Sequence, residues 1–113
     1  MVSLSTHVLD LYSGVPAEKV KIDVYFQNEL LKTVYTNANG RVDEQLVTEE
    51  TGQAGTYELV FYVEDYYNAK KVELPEQHFL TTVPVRFTMT ESSSHYHIPL
   101  LVTPWGYQVY RGS

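Results

Sequence analysis

Apolar and polar positions alternate with period two over several short stretches of this chain. Val20-Lys21-Ile22-Asp23-Val24-Tyr25-Phe26 is the clearest, and such alternation marks a strand with one buried face. Bounded by turn residues, further short strands are predicted over 5–11, 31–36, 41–46, 57–63, 84–90, 95–102 and 107–111. Between them lie Tyr12 to Ala17, rich in Ser, Gly and Pro, the hairpin pair Asn28-Glu29, and Asn37-Ala38-Asn39-Gly40. Asn and Gly tolerate positive φ at little cost, which suits turns. An acidic loop over 49–55, an irregular connection over 74–82, a polar turn over 91–94 and Thr103-Pro104-Trp105-Gly106 complete the connections. One helix is predicted, over 64–71, with Glu64 and Asp65 leading and Lys70-Lys71 closing in accord with the macrodipole. At about two turns it must pack on a sheet to persist. Pro84 opens its strand, where a missing N–H matters least. Pro99 sits inside 95–102 and predicts an edge or bulged strand there. The pattern is that of an antiparallel β-sandwich of about seven to nine strands.

Length and composition narrow this. The 113 residues fit one domain, 1–113, with no repeat, linker or low-complexity tract. A 43% apolar content excludes a disordered chain, and ten tyrosines favour strands. Without cysteine there is neither a disulfide framework nor a thiolate metal site. No stretch approaches a membrane span, and Met1-Val2-Ser3-Leu4 shows no secretory pattern. A cytoplasmic location with no membrane partner is the expectation. A net charge of −6 argues against nucleic acid as a partner.

The charge distribution changes the picture more than the sum. Glu91 is the last acidic side chain, and beyond it only His95, His97, Arg111 and tyrosines titrate. The closing segment suits an anionic small molecule, or else a buried, tyrosine-rich interface strand. His95 and His97 share one face of their strand, and imidazole suits proton transfer near neutral pH. His7 shares a strand face with Leu9 and Leu11, and on residues alone it is either a satisfied sheet-edge histidine or a proton-transfer group. Arg41, after the Asn39-Gly40 turn, is either a solvated hairpin residue or a bidentate anchor for a carbonyl or anion. His78 reads as a surface residue. Three histidines would satisfy a zinc site with an open position, but no acidic partner for them is evident in the closing segment. There is no Gly-x-Ser-x-Gly elbow, no cysteine nucleophile and no phosphate-binding glycine loop.

Ser5-Thr6-His7-Val8-Leu9-Asp10, Gly14-Val15-Pro16-Ala17, Asn39-Gly40-Arg41-Val42, His95-Tyr96-His97-Ile98-Pro99-Leu100-Leu101 and Tyr110-Arg111-Gly112-Ser113 occur in this order along nearly the whole chain. Together they resemble the 5-hydroxyisourate hydrolases, the transthyretin-like enzymes of purine breakdown. The resemblance implies a transthyretin-like sandwich of two four-stranded sheets with one short helix. It implies hydrolysis of 5-hydroxyisourate to 2-oxo-4-hydroxy-4-carboxy-5-ureidoimidazoline, with no metal and no cofactor. The family's catalytic histidine and arginine map onto His7 and Arg41, and its closing tetrapeptide, which lines the substrate cleft, onto Tyr110, Arg111, Gly112 and Ser113.

On this reading His7 or His97 takes a proton from water, and Arg41 holds the substrate and the developing oxyanion. Ser113 joins these as a catalytic group, while His95, Tyr110, Arg111 and Gly112 bind substrate. Leu11 and Val109 depart mildly from the family pattern, which more often has threonine there. The family's homotetramers, with active sites at subunit contacts, imply the same assembly here, with Trp105 as a candidate contact. The competing reading is a small-ligand carrier without catalysis, as transthyretin itself is, since fold does not fix function.

Overall fold

The computed structural model describes residues 2–48, 51–91 and 95–112. Its elements are β1 (Ser3–Asp10), β2 (Val15–Pro16), β3 (Lys21–Phe26), β4 (Glu29–Tyr35), β5 (Gly55–Phe61), α1 (Val63–Ala69), β6 (Val83–Met89), β7 (His95–Val102) and β8 (Tyr107–Val109). They form two four-stranded sheets, β2-β1-β7-β8 and β4-β3-β5-β6. All pairings are antiparallel except one: β1 and β7 run parallel, in register from Ser3 opposite His95 to Asp10 opposite Val102. The sandwich is therefore mixed at its functional centre.

Alternation builds the core. Leu4 and Val8 of β1, Ile22 and Val24 of β3, Leu59 and Phe61 of β5, and Ile98 and Leu100 of β7 are all buried. The intervening residues Ser5, His7 and Leu9 of β1, with His95, His97 and Leu101 of β7, are left half-buried or exposed on the outer face. Period-two geometry puts them there.

Several expectations shift. Residues 41–46 form no strand. Arg41 makes a single bridge with His7, and Val47 another with Leu4. The reason is local: the Asn37 N–H donates to the Arg41 carbonyl at 2.6 Å. The Asn37 carboxamide oxygen in turn accepts from the Asn39 and Arg41 N–H groups. The groups that would extend a ladder are already used, so the segment caps the free edge of β1 at two points. Gly40 makes that approach possible, with φ at +76° and room only for hydrogen: a Cβ would lie 2.4 Å from the Val8 carbonyl oxygen.

The helix runs over Val63–Ala69, and no basic residue lies in its last turn. Lys71, at φ 58°, has left the helical conformation. Lys70 instead reaches the Asp10 carboxylate at 3.8 Å. A short pairing, β2, occupies part of the predicted turn over 12–17. Pro84 is the second residue of β6, on the sheet edge, where a missing donor is tolerated.

Pro99 lies in a central strand, and among the described residues the one register shift falls elsewhere, at Val24/Tyr25. The β7/β8 register pairs Leu100 with Val109 and resumes at His97 opposite Gly112. Pro99 therefore faces Tyr110, where it has no N–H to give, and β8 ends at Val109.

Candidate active site

Parallel pairing of β1 with β7 sets Ser3 beside His95, Ser5 beside His97 and His7 beside Pro99. A hydrogen-bonded row results on the outer face. Ser3 Oγ lies 2.7 Å from His95 Nδ1, Ser5 Oγ 3.2 Å from His95 Nε2, and the same Ser5 Oγ 2.8 Å from His97 Nδ1. His7 is held separately, its Nε2–H donating to the Asn39 carbonyl at 2.9 Å. A carbonyl can only accept, so the neutral His7 ring carries its lone pair on Nδ1.

His97 is clamped on two sides. Ser5 takes Nδ1, and Gly112 covers the Cδ2 edge, where its N–H donates to the His97 carbonyl at 2.7 Å. A Cβ on Gly112 would stand 2.8 Å from His97 Cδ2. Among the described residues Nε2 has no protein partner, so it is the nitrogen offered to a ligand.

Arg41 follows the Gly40 turn beside both rings. Burial first, then the Arg41 guanidinium and the imidazoles of His7 and His95, hold His97 below the ordinary histidine value, against a smaller opposing effect of Ser5. Burial and Arg41 likewise lower His7, opposed by its bond to Asn39. Both imidazoles are thus neutral, proton-accepting groups near pH 7, set beside a permanent cation.

The structure brings together His7, Arg41, His95, His97 and Gly112, and the β7/β8 register places exposed Tyr110 on the same face. Arg111 goes elsewhere: its guanidinium lies 4.1 Å from the centre of the Tyr96 ring, whose side chain faces the core. It braces the closing segment from the opposite side of β7. Ser113 lies outside the described residues. Ser3, Ser5 and the Asn39 carbonyl belong to the site but escaped the sequence reading, because only the parallel register makes Ser-x-Ser face His-x-His. Among the described residues no three of His, Asp and Glu converge as a metal-ligand set.

The histidine face is open in a single copy. Two cavities lie elsewhere, one of about 520 Å³ between β2 and α1 and one of about 250 Å³ lined in part by His78, Phe79 and Trp105. Trp105 is exposed and packs edge-on against Tyr12, with ring centres 5.6 Å apart.

A two-sheet sandwich thus carries paired histidines and an arginine on one outer face, a set of groups suited to proton transfer on a small polar molecule. Residues 4–112 match the model of the HIUase/Transthyretin family. The chain belongs to that family. It is 48% identical over 114 residues to 5-hydroxyisourate hydrolase 2 of Rhizobium meliloti, covering 97% of this chain and 95% of that protein. The structure of Klebsiella pneumoniae 5-hydroxyisourate hydrolase superposes with a TM-score of 0.83 at 31% identity, each chain covered in full. That of an (S)-allantoin synthase gives a TM-score of 0.91 at 35% identity, covering 99% of this chain but 44% of the longer one.

Proposed function

We propose that this protein hydrolyses 5-hydroxyisourate, opening its six-membered ring. The observation that carries the reading is the His97 imidazole, fixed through Nδ1 by Ser5 at 2.8 Å and without a partner at Nε2 among the described residues, beside Arg41 and His7. Full-length similarity to 5-hydroxyisourate hydrolases supplies the substrate.

In the step proposed, a water oxygen bonds to the ring carbonyl carbon next to the hydroxylated carbon while His97 Nε2 takes its proton. The carbonyl oxygen gains negative charge, which Arg41 stabilises. As the tetrahedral carbon collapses, the ring C–N bond breaks and the leaving nitrogen takes up a proton. His7, tautomerically fixed by Asn39, orients the substrate through Nδ1. Tyr110 and Gly112 shape the rim, and Ser113 adds its hydroxyl. Because the substrate also opens unaided in water, holding one attack geometry contributes as much as proton transfer.

We also propose a homotetramer, located in the cytoplasm, in which a second copy closes the open histidine face into a cleft. Exposed Leu11 and Tyr110 on the same face support that contact. No described helix is long and apolar enough to cross a membrane.

The test follows the ultraviolet absorbance of 5-hydroxyisourate made fresh from urate. Wild type speeds its loss, His97→Ala leaves the spontaneous rate, and chelator changes neither. No acceleration by wild type, with ligand binding retained, would favour the carrier reading.

A further inference from the structure

We propose that Ser5, with His95 behind it, is a proton relay that returns His97 to its neutral state during each turnover. The inference rests on the hydrolase reading and adds to it a positioning residue. Ser5 Oγ has one hydrogen and meets two ring nitrogens, His97 Nδ1 at 2.8 Å and His95 Nε2 at 3.2 Å. It donates to one and accepts from the other, so the tautomers of the two imidazoles are coupled.

In the state ready for attack, His97 Nδ1–H donates to Ser5 and the Ser5 O–H donates to His95 Nε2. His95 Nδ1–H donates to Ser3 Oγ at 2.7 Å. This leaves the lone pair of His97 on Nε2, toward substrate. When Nε2 takes a proton from water, Nδ1–H passes its proton to Ser5 Oγ, and the Ser5 hydrogen passes to His95 Nε2. His97 is neutral again, now with Nε2–H, and His95 carries the positive charge. No bond to a heavy atom changes.

The displacement has an electrostatic reason. A cation on half-buried His97 stands among Arg41, His7 and His95, the charged and titratable groups that face it among the described residues. His95 is exposed and two residues further along β7, about 6.6 Å from His97 along the strand. There the proton exchanges with solvent. His97, now Nε2–H, is the group that protonates the leaving ring nitrogen, and the row reverses as that proton is given up.

The test compares wild type, Ser5→Ala, Ser5→Thr, His95→Phe and the Ser5→Ala/His95→Phe double variant. Readouts are kcat, KM and the pH profile, with imidazole nitrogen shifts from full-length protein labelled in histidine. Ser5→Ala is expected to lower kcat about 10- to 100-fold with KM within about twofold. Ser5→Thr keeps the hydroxyl and retains most activity. The double variant falls no further than the worse single one, because both break one chain. In the nitrogen spectrum Ser5→Ala shifts His95 and His97 together.

Independent losses in the double variant, a change confined to KM, or a His95 signal unmoved by Ser5→Ala would each overturn the relay. If Ser5→Ala does not fold, Ser5→Thr and His95→Phe carry the same comparison. Absence of hydrolysis by wild type would instead sink the hydrolase reading, while the nitrogen spectra still report on the coupling.

Discussion

Asp10 and His7 stand three residues apart on β1 and face opposite sides of the sheet. Asp10 points inward, is 1% exposed, and has every oxygen answered. It accepts from the Tyr66 and Tyr67 hydroxyls at 2.7 Å each and from the Tyr12 and Ser13 N–H groups at 3.0 Å each, with the Lys70 ammonium 3.8 Å away. His7 points outward, commits Nε2–H to Asn39 and has no partner at Nδ1 among the described residues. The inner group is satisfied and holds the helix to the sheet, whereas outer-face His7 and His97 each keep one ring nitrogen without a partner among the described residues, beside Arg41. Saturation distinguishes a polar residue that supports the fold from one available for chemistry.

The comparison breaks first at its two extremes. His97→Ala is expected to lower turnover by about 10²- to 10⁴-fold with the melting temperature nearly unchanged. Asp10→Ala does the opposite. It removes the acceptor of the buried Tyr66 hydroxyl and leaves Tyr67 only the Val102 carbonyl at 3.3 Å, at a cost of about 3–5 kcal/mol in urea unfolding, while activity per folded molecule persists. If Asp10→Ala were as stable as wild type but inactive, the two roles would have been assigned to the wrong faces.

Acid sharpens the same contrast. Burial alone would raise the Asp10 carboxyl, but the Ser13 N–H and the Tyr66 and Tyr67 hydroxyls together hold it below its ordinary value. A folded-state value below the unfolded one gives stability that is full above the ordinary carboxylate range. It is lost as pH falls through the lower folded value. Urea midpoints should therefore decline below about pH 4, and Asp10→Asn should flatten that decline. Lowered His7 and His97 act on rate and, by the same linkage, begin to cost stability as pH falls below their ordinary value. In the free enzyme they stay neutral as pH falls through the ordinary histidine value of about 6.5. The kcat/KM profile should hold level there and drop only at more acidic pH; a midpoint above that value would contradict the burial argument.

Smaller effects test the clamp. Gly112→Ala pushes a methyl against His97 Cδ2 and should reduce kcat about tenfold with under about 1 kcal/mol lost in stability. Arg86→Ala, removing an exposed 3.1 Å ion pair with Glu58 on the other sheet, should change stability by under about 1 kcal/mol and rate not at all.

What the sequence disclosed follows from what is local. The bounds of β7 were legible because alternation and the turns on either side are local signals, and the helix because its leading acidic residues are. Pairing partners are not local. Nothing in Ser3-Leu4-Ser5 announces that it lies parallel to His95-Tyr96-His97, so the serines passed unnoticed as site residues. Residues 41–46 follow the Asn39-Gly40 turn as a hairpin strand would, but Asn37 has already taken the groups a ladder needs. Arg111 sits in the same tetrapeptide as Gly112, yet strand alternation sends it to Tyr96 while Gly112 meets His97.

The central claim is that the outer face of β1 and β7 does the chemistry and the inner face the folding. The most direct measurement is the initial loss of 5-hydroxyisourate absorbance, per folded molecule, for wild type, Asp10→Asn and His97→Ala. The account predicts acceleration by the first two and the spontaneous rate for the third. A His97→Ala protein as fast as wild type would contradict it.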